Sequence, residues 1–216
     1  MKIYSPLLAC VLVLVVSERA LSTEYLSNLS ESTSGNVTID SSRKVAQSFW
    51  SGDNSGGYSL TSITLLMAEG SSNSSPLHVS LFSSSGSEVG SWIGDFTTSD
   101  PYSSAGGEHS WTPGDSIVIL SNTKYWIVLE TTESSHGYNW DYTASTSASS
   151  QDGWSIPETN TYAYGTGSGW SYSDGRPQQI AVLASAVPEP STYVLAVAGV
   201  VVGLLVLRRR ETRQAA

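Results

Sequence analysis

The sequence predicts an all-β protein, an antiparallel β-sandwich or jelly-roll-like domain held between two hydrophobic ends. Short runs rich in β-branched and aromatic residues alternate with clusters of Ser, Gly, Asn and Asp, which is typical of such folds. Within the runs the apolar residues alternate, so that Val79 and Leu81 share one face. The two hydrophobic stretches near the termini predict an N-terminal signal peptide and one C-terminal transmembrane helix.

The N-terminal stretch predicts export by the Sec pathway. Residues 7–16 form an apolar run after Lys2 that matches a signal-peptide core and is too short to span a bilayer. Ala20 and Ser22 supply the small residues for a cut after Ser22, so residues 1–22 are the predicted signal peptide. Two alternatives stay open. The run is an uncleaved anchor, or Cys10, which follows Leu-Leu-Ala, is a lipidation site.

The middle of the chain, residues 23–186, is the predicted exported domain. Residues 117–120 are continuously apolar and predict a central strand, and the short connection to Lys124 predicts a hairpin with the strand that follows. The predicted strands are 44–50, 58–68, 77–83, 88–96, 116–120, 124–131, 138–142, 162–164 and 179–185.

Charge argues against a nucleic-acid partner. The chain has a net charge of −9, and residues 23–186 hold four basic side chains against sixteen acidic ones. Binding phosphates requires clustered Lys and Arg, which this domain lacks. The single cysteine, Cys10, lies in the predicted signal peptide, so the mature domain has no thiol for a disulfide or a nucleophile.

The C-terminal segment, residues 187–216, has three parts in a fixed order. Val187-Pro188-Glu189-Pro190-Ser191 comes first and cannot continue a strand or a helix. Residues 192–207 are almost wholly apolar and predict a transmembrane helix. The basic tail 208–216 begins with Arg208, Arg209 and Arg210, which predict that this end stays in the cytoplasm and that the domain lies outside.

This three-part segment closely resembles the PEP-CTERM sorting signal of Gram-negative bacteria. The resemblance implies recognition by an exosortase, a transient stay in the inner membrane and cleavage near Pro-Glu-Pro. Delivery to the cell surface or to the extracellular matrix would follow. A plain C-terminal membrane anchor is the alternative.

The exported domain is also similar, more distantly, to the choice-of-anchor domains, type R in particular. The similarity rests on five pieces within residues 44–142, and it implies a fold and a surface context but no catalytic residues. The pieces are Val45-Ala46-Gln47-Ser48-Phe49, residues 58–67, Val79-Ser80-Leu81-Phe82, residues 124–129 and Tyr138-Asn139-Trp140.

No catalytic residue is predicted. The three histidines of the domain are far apart in sequence, and no Gly-x-Ser-x-Gly elbow occurs. A glycoside hydrolase with two facing carboxylates stays open as a minor alternative, because sixteen carboxylates are present. No cofactor is expected. Ca²⁺ stays open as an alternative at Gly52-Asp53-Asn54 or Asp141, and the sequence identifies no metal site.

Aromatic residues are dense near the end of the domain. Flat rings on a polar surface stack on the apolar faces of sugars, and the same rings also serve to fill a core that is short of aliphatic residues. The candidate glycan contacts are Tyr138, Trp140, Trp154 and Trp170.

The sequence thus favours an exported, exosortase-processed protein of the cell surface or the exopolysaccharide matrix, with a non-enzymatic β-sandwich passenger. A carbohydrate-binding module that uses the C-terminal aromatic residues is the alternative.

Overall fold

The computed structural model describes residues 22–69, 76–98, 106–132, 137–159, 162–166 and 169–189, together with Gly199 and Gly203. These residues contain fourteen strands, and every strand pair is antiparallel. The strands are β1 (Thr23–Ser27), β2 (Thr33–Ile39), β3 (Lys44–Trp50), β4 (Tyr58–Met67), β5 (Leu77–Ser85), β6 (Glu88–Thr97), β7 (Gly107–Pro113), β8 (Val118–Ile119), β9 (Lys124–Thr131), β10 (Tyr138–Thr143), β11 (Ser149–Ser150), β12 (Tyr162–Thr166), β13 (Gly169–Ser173) and β14 (Ile180–Ala186).

The predicted signal peptide, apart from Ser22, lies outside the described residues, as does the predicted transmembrane helix apart from two glycines. Within the part of the chain that the structure describes, no helix is both long and apolar enough to cross a membrane.

The strands form one strongly curled sheet in the order β11-β1-β14-β4-β7-β6-β5-β9-β3-β12-β13, while β10 pairs with β2 and β4 and β8 pairs with β4. Strand β7 connects the two halves, because Trp111 pairs with Ile63 of β4 whereas Thr112 pairs with Thr97 of β6. The all-β, antiparallel class predicted from the sequence is confirmed, with the strands joined in a continuous sheet.

One hydrophobic core lies between the two halves of this sheet. Strand β9 contributes Tyr125, Ile127 and Leu129 from one half, and β14 contributes Ile180 and Val182 from the other. Alternate residues of a strand point to the same side, so this spacing directs the apolar side chains of each strand inward. Strand β9 also buries its other face, where Trp126 and Val128 belong to a second, smaller cluster.

Buried amides close one end of the core. Asn28 donates from Nδ2 to the carbonyl oxygen of Gln178 (3.1 Å) and accepts through Oδ1 from the backbone N–H of Ile180 (2.7 Å). Gln179 donates from Nε2 to the carbonyl oxygen of Glu31 (2.8 Å). Buried polar groups need such partners to avoid a large desolvation cost, so these contacts fix the start of β14 against the turn after β1.

The predicted central strand at residues 117–120 and its hairpin with β9 are wrong. Strand β8 pairs only with β4 among the described residues, and β9 pairs with β3 and β5. Val118 and Leu120 are 55% and 68% exposed, whereas Ile117 and Ile119 reach the core. The continuous apolar run therefore alternates between core and solvent as a short edge segment.

Candidate functional site

Three of the four predicted glycan contacts lie in the core. Tyr138, Trp140 and Trp154 are 4%, 0% and 1% exposed. Trp154 stacks between Phe49 and Tyr25, with ring centroids 5.7 and 5.4 Å away. A ring enclosed in this way has no free face for a sugar, so the prediction is wrong for these three residues. They fill the core, with Trp154 beside Tyr58 at the start of β4 and Trp140 opposite Met67 at its end.

Trp170 is the exception, because it is partly exposed. It lies on the outer side of the half of the sheet formed by β6, β5, β9, β3, β12 and β13. Its strand partner is Gly165, which in turn pairs with Lys44, and the Lys44 ammonium stands 4.5 Å from the centre of the Trp170 ring. Such a cation–π contact fixes the position of the ring, which is half-buried against the second cluster. The one surviving candidate therefore lies on a surface built by several strands.

We call this surface the aromatic face. It consists of six rings on the side of the sheet that points away from the main core, and strand register places them there. Ser48 of β3 pairs with Trp126, which pairs with Phe82, which pairs with Trp92. The six rings are those of Trp50, Phe82, Trp92, Trp126, Trp170 and Tyr172.

The rings of the aromatic face differ in exposure. Trp126 is fully buried beneath Phe82 and Tyr172, whereas Trp50 and Trp92 are 39% and 58% exposed. The Trp92 indole N–H donates to Asp95 Oδ1 (2.8 Å), and this bond, followed by one from Ser80, lowers the pKa of Asp95 below its ordinary value. The face thus combines fixed aromatic surface with a carboxylate that stays charged.

Sequence reasoning missed Trp50, Trp92 and Lys44 as members of this face. The signal was present in β3, where Lys44, Ala46, Ser48 and Trp50 occupy every second position opposite the apolar Val45 and Phe49. The pairing that brings β3 beside β12 spans more than a hundred residues, and local patterns do not encode it.

Backbone groups and the Asn54 amide of the residues predicted for calcium make hydrogen bonds within the domain. Asn54 donates from Nδ2 to two backbone carbonyls, and the backbone N–H of Asp53 donates to the carbonyl oxygen of Asp152 (3.0 Å). Burial raises the pKa of Asp141. In the described ranges no group of three or more His, Cys, Asp and Glu side chains is placed to hold a metal ion.

Two of the histidines are described and they lie apart. His78 is exposed on β5 and pairs in register with Glu130, and its charge helps to lower the pKa of Asp95. The His109 ring packs against Trp111 at 6.3 Å between centroids on β7. His136 lies outside the described residues.

The C-terminal motif begins without a linker at the end of β14. Ala186 pairs with Tyr58, and the next backbone N–H, that of Val187, donates to the carbonyl oxygen of Gly57 (3.0 Å). The Val187 carbonyl accepts from Asn54 Nδ2 (3.0 Å). Pro188 and Glu189 are exposed, and Pro190, Ser191 and Arg208 to Arg210 lie outside the described residues.

The geometry is that of a domain in which β14 runs directly into Val187 and then into the exposed Pro188 and Glu189. Residues 186–210 match the family model of the PEP-CTERM protein-sorting motif. The resemblance predicted from the sequence is thereby confirmed, and the chain carries a sorting motif that implies recognition by exosortase and secretion with processing. No curated protein matches this chain. The similarity to choice-of-anchor domains stays a prediction.

Proposed function

We propose that this protein is exported, processed by an exosortase and displayed at the surface or in the exopolysaccharide matrix of a Gram-negative bacterium, with residues 23–186 as a non-enzymatic passenger. The observation that supports this is the position of the sorting motif. The matched region begins at Ala186, the last residue of β14, so all fourteen strands of the described residues lie before Val187.

Mass spectrometry of the surface-released protein tests the proposal. The expected product begins at Thr23, after removal of the predicted signal peptide, and ends within or near Val187 to Ser191. A strain that lacks the exosortase should retain the full C-terminus in its membrane fraction. A surface-released form that still ends at Ala216 would contradict processing.

The aromatic face supports a second function, binding of a polysaccharide strand. Trp50 and Trp170 lie near opposite ends of β3 on the same side of the sheet, roughly 20 Å apart at the strand rise of about 3.3 Å per residue. Sugars stack on indole rings through their C–H faces, and two rings at this distance fit an extended chain rather than a single sugar.

Co-sedimentation of the protein with exopolysaccharide from the same organism tests this function. Trp50→Ala and Trp170→Ala should each weaken binding by about tenfold, which corresponds to about 1.4 kcal/mol for a lost stacking contact. Leu120→Ala is the matched control, because it removes an exposed apolar side chain from a different part of the surface. Equal binding by all variants would exclude the aromatic face.

A further inference from the structure

The loop before β4 holds the first residue of the sorting motif by its backbone. Asn54 to Gly57 form a tight turn in which the Gly57 N–H donates to the Asn54 carbonyl (2.8 Å). Gly57 adopts φ of +78°, which favours glycine, and its carbonyl accepts from the Val187 N–H (3.0 Å). The Asn54 amide bridges the carbonyls of Gly57 and Val187.

Both backbone groups of Val187 are therefore occupied by the folded domain. Gly56 also lies against this segment. A Cβ at position 56 would overlap the Val187 carbonyl and come within 3.3 Å of the Pro188 carbonyl oxygen. We call Asn54, Gly56 and Gly57 the clamp. Only a residue without a side chain at position 56 leaves the clamp room to close.

We propose that the clamp controls when the sorting motif is processed, by keeping Val187 bound to the domain until it opens. This proposal rests on processing at the motif, as proposed above. An enzyme that binds a peptide in extended form pairs with the backbone N–H and C=O groups of that peptide. In the closed clamp those groups of Val187 are taken, so the enzyme meets only Pro188 and the residues after it.

The clamp is built to open without unfolding the domain. Val187 follows the last residue of β14, and Pro188 has no N–H with which to extend the strand. Asn54 is only partly buried, so its amide can exchange the Val187 carbonyl for water. Opening therefore breaks two hydrogen bonds at the strand end and leaves the pairing of β14 with β1 and β4 intact.

Pulse labelling of the full chain in a host that contains the exosortase tests the proposal through the rate at which the precursor disappears. Asn54→Ala removes the bond to the Val187 carbonyl and should raise that rate about fivefold, the factor for one net hydrogen bond. Asn54→Asp keeps the size but turns acceptor oxygens toward two carbonyls, so it should act in the same direction. Gly56→Ala should do so by steric displacement.

Tyr58→Phe is the control for a general loosening of this loop. Its hydroxyl accepts from the Asn54 backbone N–H (3.1 Å) and is not a partner of Val187. We expect this variant to be processed at the wild-type rate. Amide hydrogen exchange on the full chain gives the second readout, because the Val187 N–H should exchange faster in the Asn54 and Gly56 variants while the β14 amides do not.

The outcomes separate the two proposals. If the wild-type chain is processed and the clamp variants are processed at the same rate or more slowly, the clamp has no controlling role and only this inference is overturned. If the wild-type chain keeps its C-terminus with and without exosortase, processing itself is wrong, and the inference is overturned with it.

Discussion

Trp140 and Trp154 occupy the same core and differ in one hydrogen bond. The Trp140 indole N–H donates to the carbonyl oxygen of Gln179 (3.1 Å), whereas the buried Trp154 Nε1 has no hydrogen-bond partner within the described part of the chain. A buried donor without a partner carries an uncompensated desolvation cost. Trp154 is retained through ring contacts with Tyr25, Phe49 and Tyr58 rather than through its polar atom.

This difference predicts unequal effects of the same substitution. Trp140→Phe and Trp154→Phe remove similar volumes, but only the first also removes a satisfied hydrogen bond, and the second removes an unsatisfied donor. We expect Trp140→Phe to lower the free energy of unfolding by about 1 to 2 kcal/mol more than Trp154→Phe. Urea unfolding of both variants measures this difference. An equal loss of unfolding free energy would show that the cavity, and not the hydrogen bond, determines the effect.

Asp95 and Asp141 have pKa values shifted in opposite directions. Hydrogen bonds from Trp92 and Ser80 lower that of Asp95, and burial raises that of Asp141, from an ordinary value of 3.8. The charged Asp95 therefore stabilises the fold above its ordinary pKa, and this contribution is lost as the pH falls through the lower folded value. The charged Asp141 destabilises the fold above its raised pKa, and below 3.8 that penalty is absent.

At neutral pH, Asp95→Asn should consequently be less stable than the wild type and Asp141→Asn more stable. Both differences should shrink in acid. That of Asp141→Asn falls between its raised pKa and 3.8, and that of Asp95→Asn falls between 3.8 and its lowered pKa. Because Asp95 is exposed, solvent screens its interactions and its effect should be the smaller. Urea unfolding across the acid range measures both, and a difference for Asp141→Asn that persists at about pH 3 would contradict the assignment.

At the scale of elements, two hairpins, β5–β6 and β12–β13, meet above Trp126 on the outer side of the sheet. The Tyr172 hydroxyl on β13 accepts from the backbone N–H of Val89 on β6 (3.0 Å), and its ring lies 5.7 Å from that of Trp126. Neither strand pairs with the other in the sheet. One side-chain hydrogen bond therefore links the β5–β6 hairpin to the β12–β13 hairpin across the aromatic face.

Tyr172→Phe keeps the ring and removes the acceptor, so the Val89 N–H should exchange with solvent about fivefold faster, as expected for one net hydrogen bond. Global stability should fall by about 1 kcal/mol or less, because the bond is only partly buried. Tyr164→Phe is the control on the neighbouring strand β12, where an exposed ring loses its hydroxyl. Hydrogen exchange at the Val89 N–H measures this effect. Equal protection in the wild type, Tyr172→Phe and Tyr164→Phe would show that packing alone joins the hairpins.

Elements were predictable where apolar residues were dense. Strands β3 and β9 have the predicted bounds, since both are rich in apolar residues and β9 is continuously apolar from Tyr125 to Leu129. Strand β2 (TSGNVTI) and strand β7 (GEHSWTP) were missed because they contain few apolar residues and are stabilised by pairing with distant strands. The aromatic face and the clamp were missed for the same reason, because both depend on contacts between residues distant in sequence.

At the scale of the whole molecule, the first and last strands of the described domain, β1 and β14, lie side by side in the sheet. Thr23, the first residue after the predicted signal peptide, pairs with Ala184, two residues before the end of β14. Strand β14 lies between β1 and β4, so the last of the described strands is inserted into the interior of the sheet. The domain cannot complete its core until residue 186 has emerged, just before the sorting motif.

This order predicts a sharp dependence of folding on the C-terminal boundary. A fragment of residues 23–189 retains β14 and the clamp and should unfold cooperatively in urea. A fragment of residues 23–179 lacks Ile180 and Val182, both 0% exposed, whose burial contributes about 2 kcal/mol each. It also leaves β1 and β4 without their shared partner, a loss comparable with the total stability of about 5 to 15 kcal/mol of a domain. We therefore expect the shorter fragment to lack a cooperative transition and native near-ultraviolet circular dichroism. If it folds, β14 is a late addition to a domain that is already complete, and export and folding need not wait for the end of the chain.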